Sequence, residues 1–346
     1  GQANIQKFKW NGIDVVWLQD ESFPTYDVLF YFADGAQSDG YKRNGETSAA
    51  LNMINAGTRR FNQKEISDNL EFYGVSHGAR VNHEYSTYKV SGLVKDVMPT
   101  MKMICHMFKD ANYPRKEIKK ERNRMINLMK GLVANHGSLA GKAFRELSLK
   151  GTPFASPVMG KISNFKKYTK KSLKAKLKYF NEKVAKRIYI TGPKRVLSIK
   201  KIIERDCGWK STGNEFVRKT NYPVKERKSK IYFVPVPKAN QARVFVGRFL
   251  NKGEFDNKES LEFMSSFLGG GFTSRLMREV RVKRGLTYSI SAFASGQRDY
   301  GRAVISTFTK NSSVIELLNV IKNTITNVEK GDFSDEELAK ARGNLQ

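Results

Sequence analysis

The alternation of apolar and polar positions predicts two similar series of strands and helices along the chain. The first series comprises strands at Ile13–Gln19 and Tyr26–Ala33, helices at about 46–56 and 62–73, a hairpin of Val75–Asn82 and Tyr85–Leu93, and helices at about 95–110 and 114–134. The second comprises strands at Lys230–Val236 and Ala242–Phe249, helices at about 257–268 and 272–283, a hairpin of Thr287–Phe293 and Tyr300–Thr309, and a helix at about 311–329. Strand pairs that alternate with helix pairs predict an α+β fold with an antiparallel-rich mixed sheet covered by helices.

A sequence repeat supports two homologous domains. Tyr113–Asn123 aligns with Phe333–Gly343 at a spacing of 220 residues. The first copy continues through a helical region to about residue 225, whereas the chain reaches Gln346 inside a helix that starts near Ser334. We therefore expect an N-terminal domain at 1–220, a linker at 221–229 and a C-terminal domain at 230–346. The second copy is expected to be incomplete, so the natural protein should be longer or this chain a fragment.

Composition narrows the class of protein. Hydrophobic residues make up 40% of the 346 residues, which is enough for a core. No apolar run approaches the ~18 residues that a membrane-spanning helix needs, and no signal peptide is visible. Two cysteines, Cys105 and Cys207, are too few for a disulfide scaffold or a cysteine-based zinc module, and they say little about the redox compartment.

The net charge of +29 is concentrated in one stretch. Residues 161–205 carry sixteen Lys or Arg and two acids, which is compatible with nucleic acid, anionic lipid or lipopolysaccharide as a partner. Leu173, Leu177, Phe180 and Val184 nevertheless keep helical spacing among the lysines. This pattern favours one amphipathic helix with a solvated lysine face, and the stretch has no aromatic platform for single strands. We therefore expect no nucleic-acid partner.

Four segments resemble the pitrilysin/insulinase family of zinc metallopeptidases, the inverzincins, over nearly the whole chain. Gly35–Asp39 is similar to its G-S-x-x-D/E turn, with Ala36 in place of Ser, and Ala56–Arg60 to its K-G-T loop. Leu268–Leu276 is similar to its G-G-x-x-S-R-L loop and Arg281–Ser289 to its R-x-x-x-G-L-x-Y-S segment. The resemblance implies a processing-peptidase-like metallohydrolase fold.

The zinc motif of that family is missing. The family needs H-x-x-E-H on a helix, with two histidines on zinc and a Glu as general base, and a Glu from a later helix as a further ligand. Counting back from Gly57 places these positions at Ser48, Leu51 and Asn52, and the later Glu near Leu128 or Met129. None of these residues supplies the required chemistry. The four histidines have no partner at ligand spacing, so structural roles are expected for His77, His83, His106 and His136. We expect no metal at this site.

The resemblance implies a different role for Arg281 and Tyr288. In the family, an Arg and a Tyr of the second domain bind the substrate backbone and stabilise the oxyanion at a zinc site that faces them. Some members are two-chain enzymes in which one chain carries zinc and the other this pair. Gly269, Gly270 and Gly271 would form a flexible loop lining the substrate chamber, or else a plain turn before the next helix.

The leading hypothesis is a zinc-less subunit that binds unfolded peptide and completes the active site of a zinc-bearing homologous partner, as a heterodimer or in a homodimer. This chain would then carry no cofactor. The alternatives are a stand-alone peptide-binding or structural pseudo-peptidase, a polyanion-binding protein that uses residues 161–205, and a mitochondrial-type processing or respiratory-core subunit. The short loop at 269–275 favours a bacterial form. A periplasmic or cell-envelope location is favoured over the cytoplasm.

Overall fold

The computed structural model describes residues 4–40, 42–134, 153–213, 230–235, 240–250, 273–287, 290–296 and 301–329, with residues 142, 145, 146, 149 and 150. The chain divides into two compact units, residues 1–129 with 156–218 and residues 130–155 with 219–346. The expected linker at 221–229 and the helices expected at 257–268 and after Phe333 lie outside the described residues. The proposed boundary near residue 220 stays a prediction.

A six-stranded mixed sheet forms the centre of the first unit. Its strands are β1 (Asn4–Trp10), β2 (Ile13–Gln19), β3 (Thr25–Phe32), β4 (Ser76–Val81), β5 (Ser86–Leu93) and β6 (Lys186–Gly192). They are arranged in the order β1-β2-β6-β3-β5-β4, and only β2 and β6 run parallel. Burial alternates along β3, where Tyr26, Val28, Phe30 and Phe32 face the core, as the period of a half-buried strand requires.

Helices of the first unit pack on this sheet and on each other. They are α1 (Glu46–Asn52), α2 (Gln63–Phe72), α3 (Val97–Asp110), α4 (Arg115–Ala134) and α5 (Lys170–Glu182). The predicted capping box of α2 is confirmed, since the Asn62 side chain accepts from the Glu65 amide at 2.8 Å and the Glu65 side chain accepts from the Asn62 amide at 3.2 Å. Gly74, at φ +64°, ends that helix as expected.

Two features of the first unit differ from the prediction. The helix predicted at 46–56 ends at Asn52, because the chain then turns to bury Met53 and Ile54 and to form the bridge between Gly57 and Asn62. The region up to residue 225 was expected to be helical, but β6 lies within it. This strand starts with charged residues and pairs with β2 and β3, which lie more than 150 residues away.

Residues 161–205 behave as an amphipathic segment. Leu173, Leu177 and Phe180 of α5 are buried, and Val184 just after it is buried too, so the predicted apolar stripe is confirmed. Most lysines of α5 are exposed. Within the described ranges no helix is both long enough and apolar enough to cross a membrane.

The second unit has a sheet of its own. It contains β7 (Lys230–Pro235), β8 (Gln241–Leu250), β9 (Ile290–Gly296) and β10 (Gly301–Lys310), in the antiparallel order β7-β8-β10-β9. Its described helices are α6 (Thr273–Met277), which continues as a π-helical turn at Arg278–Val282, and α7 (Val314–Glu329). The order β8-β10-β9 repeats β3-β5-β4 of the first sheet. The predicted α+β fold with two similar domains is confirmed.

A disulfide joins two distant parts of the first core. Cys105 of α3 and Cys207, which ends a π-helical turn at Ile203–Cys207, are bonded with a Cα–Cα distance of 4.5 Å and a sequence separation of 102. Both residues are buried. A cross-link over about 100 residues removes much of the freedom of the unfolded chain, a contribution of roughly 2–5 kcal/mol.

A buried lysine lies at the start of β6. Lys186 is 6% exposed, and its Nζ donates to the carbonyls of Asn181 and Val184, both at 2.8 Å. The amine also lies 5.7 Å from the Phe32 ring centroid and 5.4 Å from the Trp209 centroid. Burial lowers the pKa of Lys186 to about 7, from an ordinary value of 10.5. A neutral amine still has two N–H groups, which suffice to donate a hydrogen bond to each of these carbonyls.

Reduction of the disulfide should destabilise the first unit. We expect dithiothreitol to lower the free energy of unfolding by about 2–5 kcal/mol, because the unfolded chain regains its freedom. Urea denaturation with and without reductant measures this. The variant Cys105→Ala/Cys207→Ala is the control and should not respond to reductant. Equal stability of oxidised and fully reduced protein would contradict the prediction.

Lys186 should make stability depend on pH above neutrality. Its folded pKa of about 7 lies below the unfolded value, so between pH 7 and 10.5 the unfolded state binds one more proton. The free energy of unfolding should therefore rise with pH, by about 1.4 kcal/mol per unit, and this gain is lost as pH falls through 7. Denaturation at several pH values measures this slope. It should be absent in Lys186→Met and unchanged in the control Lys178→Met, whose lysine is exposed. An unchanged slope in Lys186→Met would refute this reading.

Candidate functional site

The turn that resembles the family's G-S-x-x-D/E string holds the start of α1. Its Asp39 is buried and accepts hydrogen bonds from the Gly45 amide at 3.0 Å, the Thr47 amide at 2.9 Å and the Thr47 hydroxyl at 2.5 Å. Gly45 is the residue that caps α1 and Thr47 lies in its first turn, where the amides have no carbonyl partner within the helix. Lys176 of α5 lies 3.4 Å from the same carboxylate. Burial raises the pKa of Asp39, and Lys176 and the bonds from Thr47 and Gly45 oppose that shift.

Two glycines let a neighbouring loop approach α1 closely. Gly45 has φ +96°, and a Cβ there would lie 2.5 Å from the Met159 carbonyl oxygen. At Gly160, with φ +82°, a Cβ would lie 2.1 Å from the Asn44 carbonyl oxygen. Tyr168 donates a hydrogen bond to that same carbonyl. The loop therefore covers one side of α1 at a distance that only glycine permits.

A cavity of about 330 Å³ lies between α1, α4 and this loop. Its lining residues are Gly45, Ser48, Ala49, Asn52, Met53, Ile118, Glu121, Arg122, Arg124, Met125, Leu128, Met159, Phe165, Tyr168 and Leu173. The structure thus brings together three of the four degenerate zinc-motif positions, Ser48, Asn52 and Leu128. Leu128 lines the cavity and Met129 does not, so residue 128 is the one on the cavity side of α4.

The side chains at these positions do not fit zinc. Asn52 Nδ2 donates to the Ser48 carbonyl at 2.8 Å and to the Ser48 hydroxyl at 3.3 Å, so the two positions bond to each other. Leu51 is buried and does not line the cavity. Among the lining residues the carboxylate of Glu121 is ion-paired with Arg124 at 2.5 Å. A zinc site needs imidazole, thiolate or carboxylate ligands, and hydroxyl, amide and aliphatic groups are poor substitutes.

The described histidines have structural partners. His77 Nδ1 lies 2.8 Å from the Tyr88 hydroxyl, His83 Nε2 lies 2.8 Å from the Ser156 carbonyl oxygen, and His106 Nε2 lies 2.8 Å from the Thr58 hydroxyl. Burial lowers the pKa of His77, and it is also the main cause that lowers that of His106. His136 lies outside the described residues. Within the described part of the chain no three His, Cys, Asp or Glu side chains are grouped to hold a metal.

Arg281 lies in the second unit, on the π-helical turn after α6. It is exposed, and no hydrogen bond or ion pair of its side chain occurs within the described ranges. The turn ends where the Gly285 amide donates to the Arg281 carbonyl at 2.9 Å, with Gly285 at φ +60°. Tyr288 and the loop of Gly269, Gly270 and Gly271 lie outside the described residues, so their roles stay predictions.

Sequence reasoning missed the charged side chains around the cavity. Arg122 lines it, and its Nε is buried without a hydrogen-bond partner. The available signal was spacing, since Arg115, Lys119 and Arg122 recur at intervals of four and three and so share one face of α4.

Two family models match the chain. The model described as insulinase (peptidase family M16) matches residues 15–161, and the one described as peptidase M16 inactive domain matches residues 188–345. Together they cover most of the sequence. The order is the one expected for a two-domain member, with the motif-bearing domain first.

Individual relatives agree with this assignment. An uncharacterized zinc protease of Streptomyces coelicolor is 22% identical over 90% of this chain and 69% of its own length. A non-peptidase homolog, YmxG of Helicobacter pylori, is 22% identical over 95% of this chain and 76% of its own. The crystal structure of a peptidase M16 inactive domain from Pseudomonas fluorescens matches with a TM-score of 0.76 at 20% identity, over 99% of this chain and 83% of that one. The chain therefore belongs to peptidase family M16, as a peptidase-like protein of the inactive type.

Proposed function

We propose that this chain is the zinc-less subunit of a two-chain M16 peptidase, which binds unfolded peptide and completes the active site of a zinc-bearing homologous partner. The observation that carries the proposal is the cavity at Ser48, Asn52 and Leu128, which keeps the convergence of the zinc positions without their ligands. The family's second-domain segment, in contrast, is retained from Arg281 onward.

The contribution of this chain to catalysis would be electrostatic. Exposed Arg281 is free to donate hydrogen bonds to a substrate carbonyl whose oxygen gains negative charge as the bond is attacked. Tyr288 would donate a second. The peptide bond itself would be hydrolysed at the partner's zinc site. Because such donors act mainly in the transition state, they should affect turnover more than peptide affinity.

We also propose a periplasmic or cell-envelope location in a bacterium. The support is the buried disulfide between Cys105 and Cys207, since such bonds persist in oxidising compartments and are rare in the cytosol. The relatives from Streptomyces coelicolor and Helicobacter pylori are both bacterial.

The isolated chain should bind no stoichiometric zinc and hydrolyse no unstructured peptide, because a hydroxyl, an amide and an aliphatic side chain occupy the ligand positions at Ser48, Asn52 and Leu128. Metal analysis of the purified chain checks this. The variant Ser48→His/Asn52→His/Leu128→Glu is the positive control, and it should acquire about one zinc per chain because the three positions line one cavity. A tightly bound zinc in the unchanged chain that is lost on mutation of α1 would contradict the proposal.

Co-expressed with a homologous chain that retains H-x-x-E-H, this chain should raise peptidase activity well above that of the partner alone. Arg281→Ala should then lower turnover by about 100-fold, since one lost oxyanion donor costs on the order of 3 kcal/mol. Tyr288→Phe should act in the same direction. Assembly, measured by size-exclusion chromatography, should not change.

The matched control is Arg278→Ala, an exposed arginine on the same π-helical turn, which should leave turnover intact. Unchanged turnover in Arg281→Ala and Tyr288→Phe would favour a structural or peptide-binding pseudo-peptidase instead.

A further inference from the structure

A strongly cationic groove runs beside the cavity on the first unit. It has a volume of about 810 Å³ and lies between α4 on one side and the N-terminal part of α5, with the residues just before it, on the other. Seven of its lining residues are basic and none is acidic: Arg115, Lys119, Arg122, Lys166, Lys170, Lys171 and Lys174. Each of the two walls contributes at least three of these charges. A solvated lysine face on α5 alone would not produce this arrangement.

These charges are not neutralised by the protein. Within the described residues none of the seven side chains forms an ion pair or a hydrogen bond, and the Nε of Arg122 is buried without an acceptor. Arg124, two residues after Arg122 on α4, differs because it is paired with Glu121. Like charges that line one concave surface sum to a strong positive potential, which attracts an anionic ligand.

The groove is continuous with the apolar cavity at the degenerate zinc positions. Ile118, Arg122 and Tyr168 line both. The cavity side is largely apolar, with Met125, Leu128, Met159, Phe165 and Leu173 among its walls. Its volume of about 330 Å³ lies at the lower end of the range for small-ligand pockets, which suits a single side chain. A ligand that fills both sites therefore has an acidic part next to an apolar group.

Two other polyanions fit this surface less well. Single-stranded nucleic acid needs aromatic faces for its bases, and the aromatic residue of the groove, Tyr168, is buried with its hydroxyl bonded to the Asn44 carbonyl. A membrane surface binds helices that present an apolar face outward, whereas α5 turns Leu173 and Leu177 into the core. The basic residues also line a concavity, which a flat lipid surface does not enter.

We propose that this groove binds an acidic peptide segment and that an adjacent apolar side chain of the same peptide enters the cavity beside Ser48 and Asn52. The inference rests on the proposed function and specifies the class of peptide that this chain would bind. The former zinc cavity then serves as a side-chain pocket, and the basic groove selects peptides by charge. Salt should weaken the interaction, since exposed charges supply much of it.

The test is fluorescence anisotropy with short labelled peptides and the full chain. The first peptide has a run of Asp and Glu followed by Leu or Phe, the second has Lys and Arg in place of the acids, and the third has Ser in place of the apolar residue. We expect the first to bind most tightly and the second not to bind. Lys170→Glu/Lys174→Glu should weaken the first by about tenfold or more.

Two variants separate the groove from general charge and from the cavity. Lys200→Glu/Lys201→Glu makes the same change in net charge at exposed lysines outside the groove and should leave binding unchanged. Leu128→Ser should weaken the peptide with the apolar residue and leave its Ser analogue unaffected. Circular dichroism checks that each variant folds.

The outcomes distinguish this proposal from the proposed function. If Lys170→Glu/Lys174→Glu and Lys200→Glu/Lys201→Glu lose affinity equally, or if the basic peptide binds more tightly than the acidic one, the groove is not an acidic-peptide site. The proposed peptide binding would still stand. No binding by any of the three peptides overturns both. The chain could instead bind anionic vesicles or single-stranded DNA through Lys170 and Lys174 and not bind the acidic peptide. That result would show that the ligand of the groove is not an acidic peptide. Arg281→Ala should leave peptide affinity unchanged in every case.

Discussion

The site depends on the interactions of the buried Asp39 carboxylate with α1 and α5. This carboxylate accepts bonds from the first turn of α1, and it lies 3.4 Å from Lys176 of α5, so one group fixes two of the elements beside the cavity. Loss of either charged partner would leave the other buried and unpaired, at a cost of about 3–5 kcal/mol. Hydrogen bonds and an ion pair among this chain's own residues therefore fix the position of α1.

The side chains that line the cavity decide which ligands it can hold. Hydroxyl, amide and aliphatic groups at Ser48, Asn52 and Leu128 leave a mainly apolar space with charged side chains at its edge. Its opening continues into the basic groove through Arg122, so the two surfaces form one extended site. In such a site the affinity for a peptide and the selection of peptides by charge do not require that the peptide be hydrolysed there. The proposed function accordingly places peptide binding on this chain and bond cleavage on a partner.

Much of the local structure could be predicted because short-range chemistry dictates it. The Asn62–Glu65 capping box, the Gly74 stop and the apolar stripe of Leu173, Leu177 and Phe180 each depend on residues within a few positions. The zinc-motif positions were located by counting from Gly57, and three of them do line one cavity. Element order in the second unit followed from the repeat, and the strand order β8-β10-β9 matches β3-β5-β4 of the first sheet.

Long-range contacts decided the rest. Strand β6 begins with Lys186 and Arg187, which a local pattern assigns to solvent, yet β2 and β3 enclose it and Lys186 is buried against aromatic rings. The disulfide of Cys105 and Cys207 closes a separation of 102 residues, and spacing alone gives no sign of that. The basic groove needs charges from α4 and from the first turns of α5 with Lys166 before it. The sequence by itself determined the elements, the repeat and the missing ligands. Only tertiary packing determined which distant residues share a surface, because such contacts depend on chain topology and not on local periodicity.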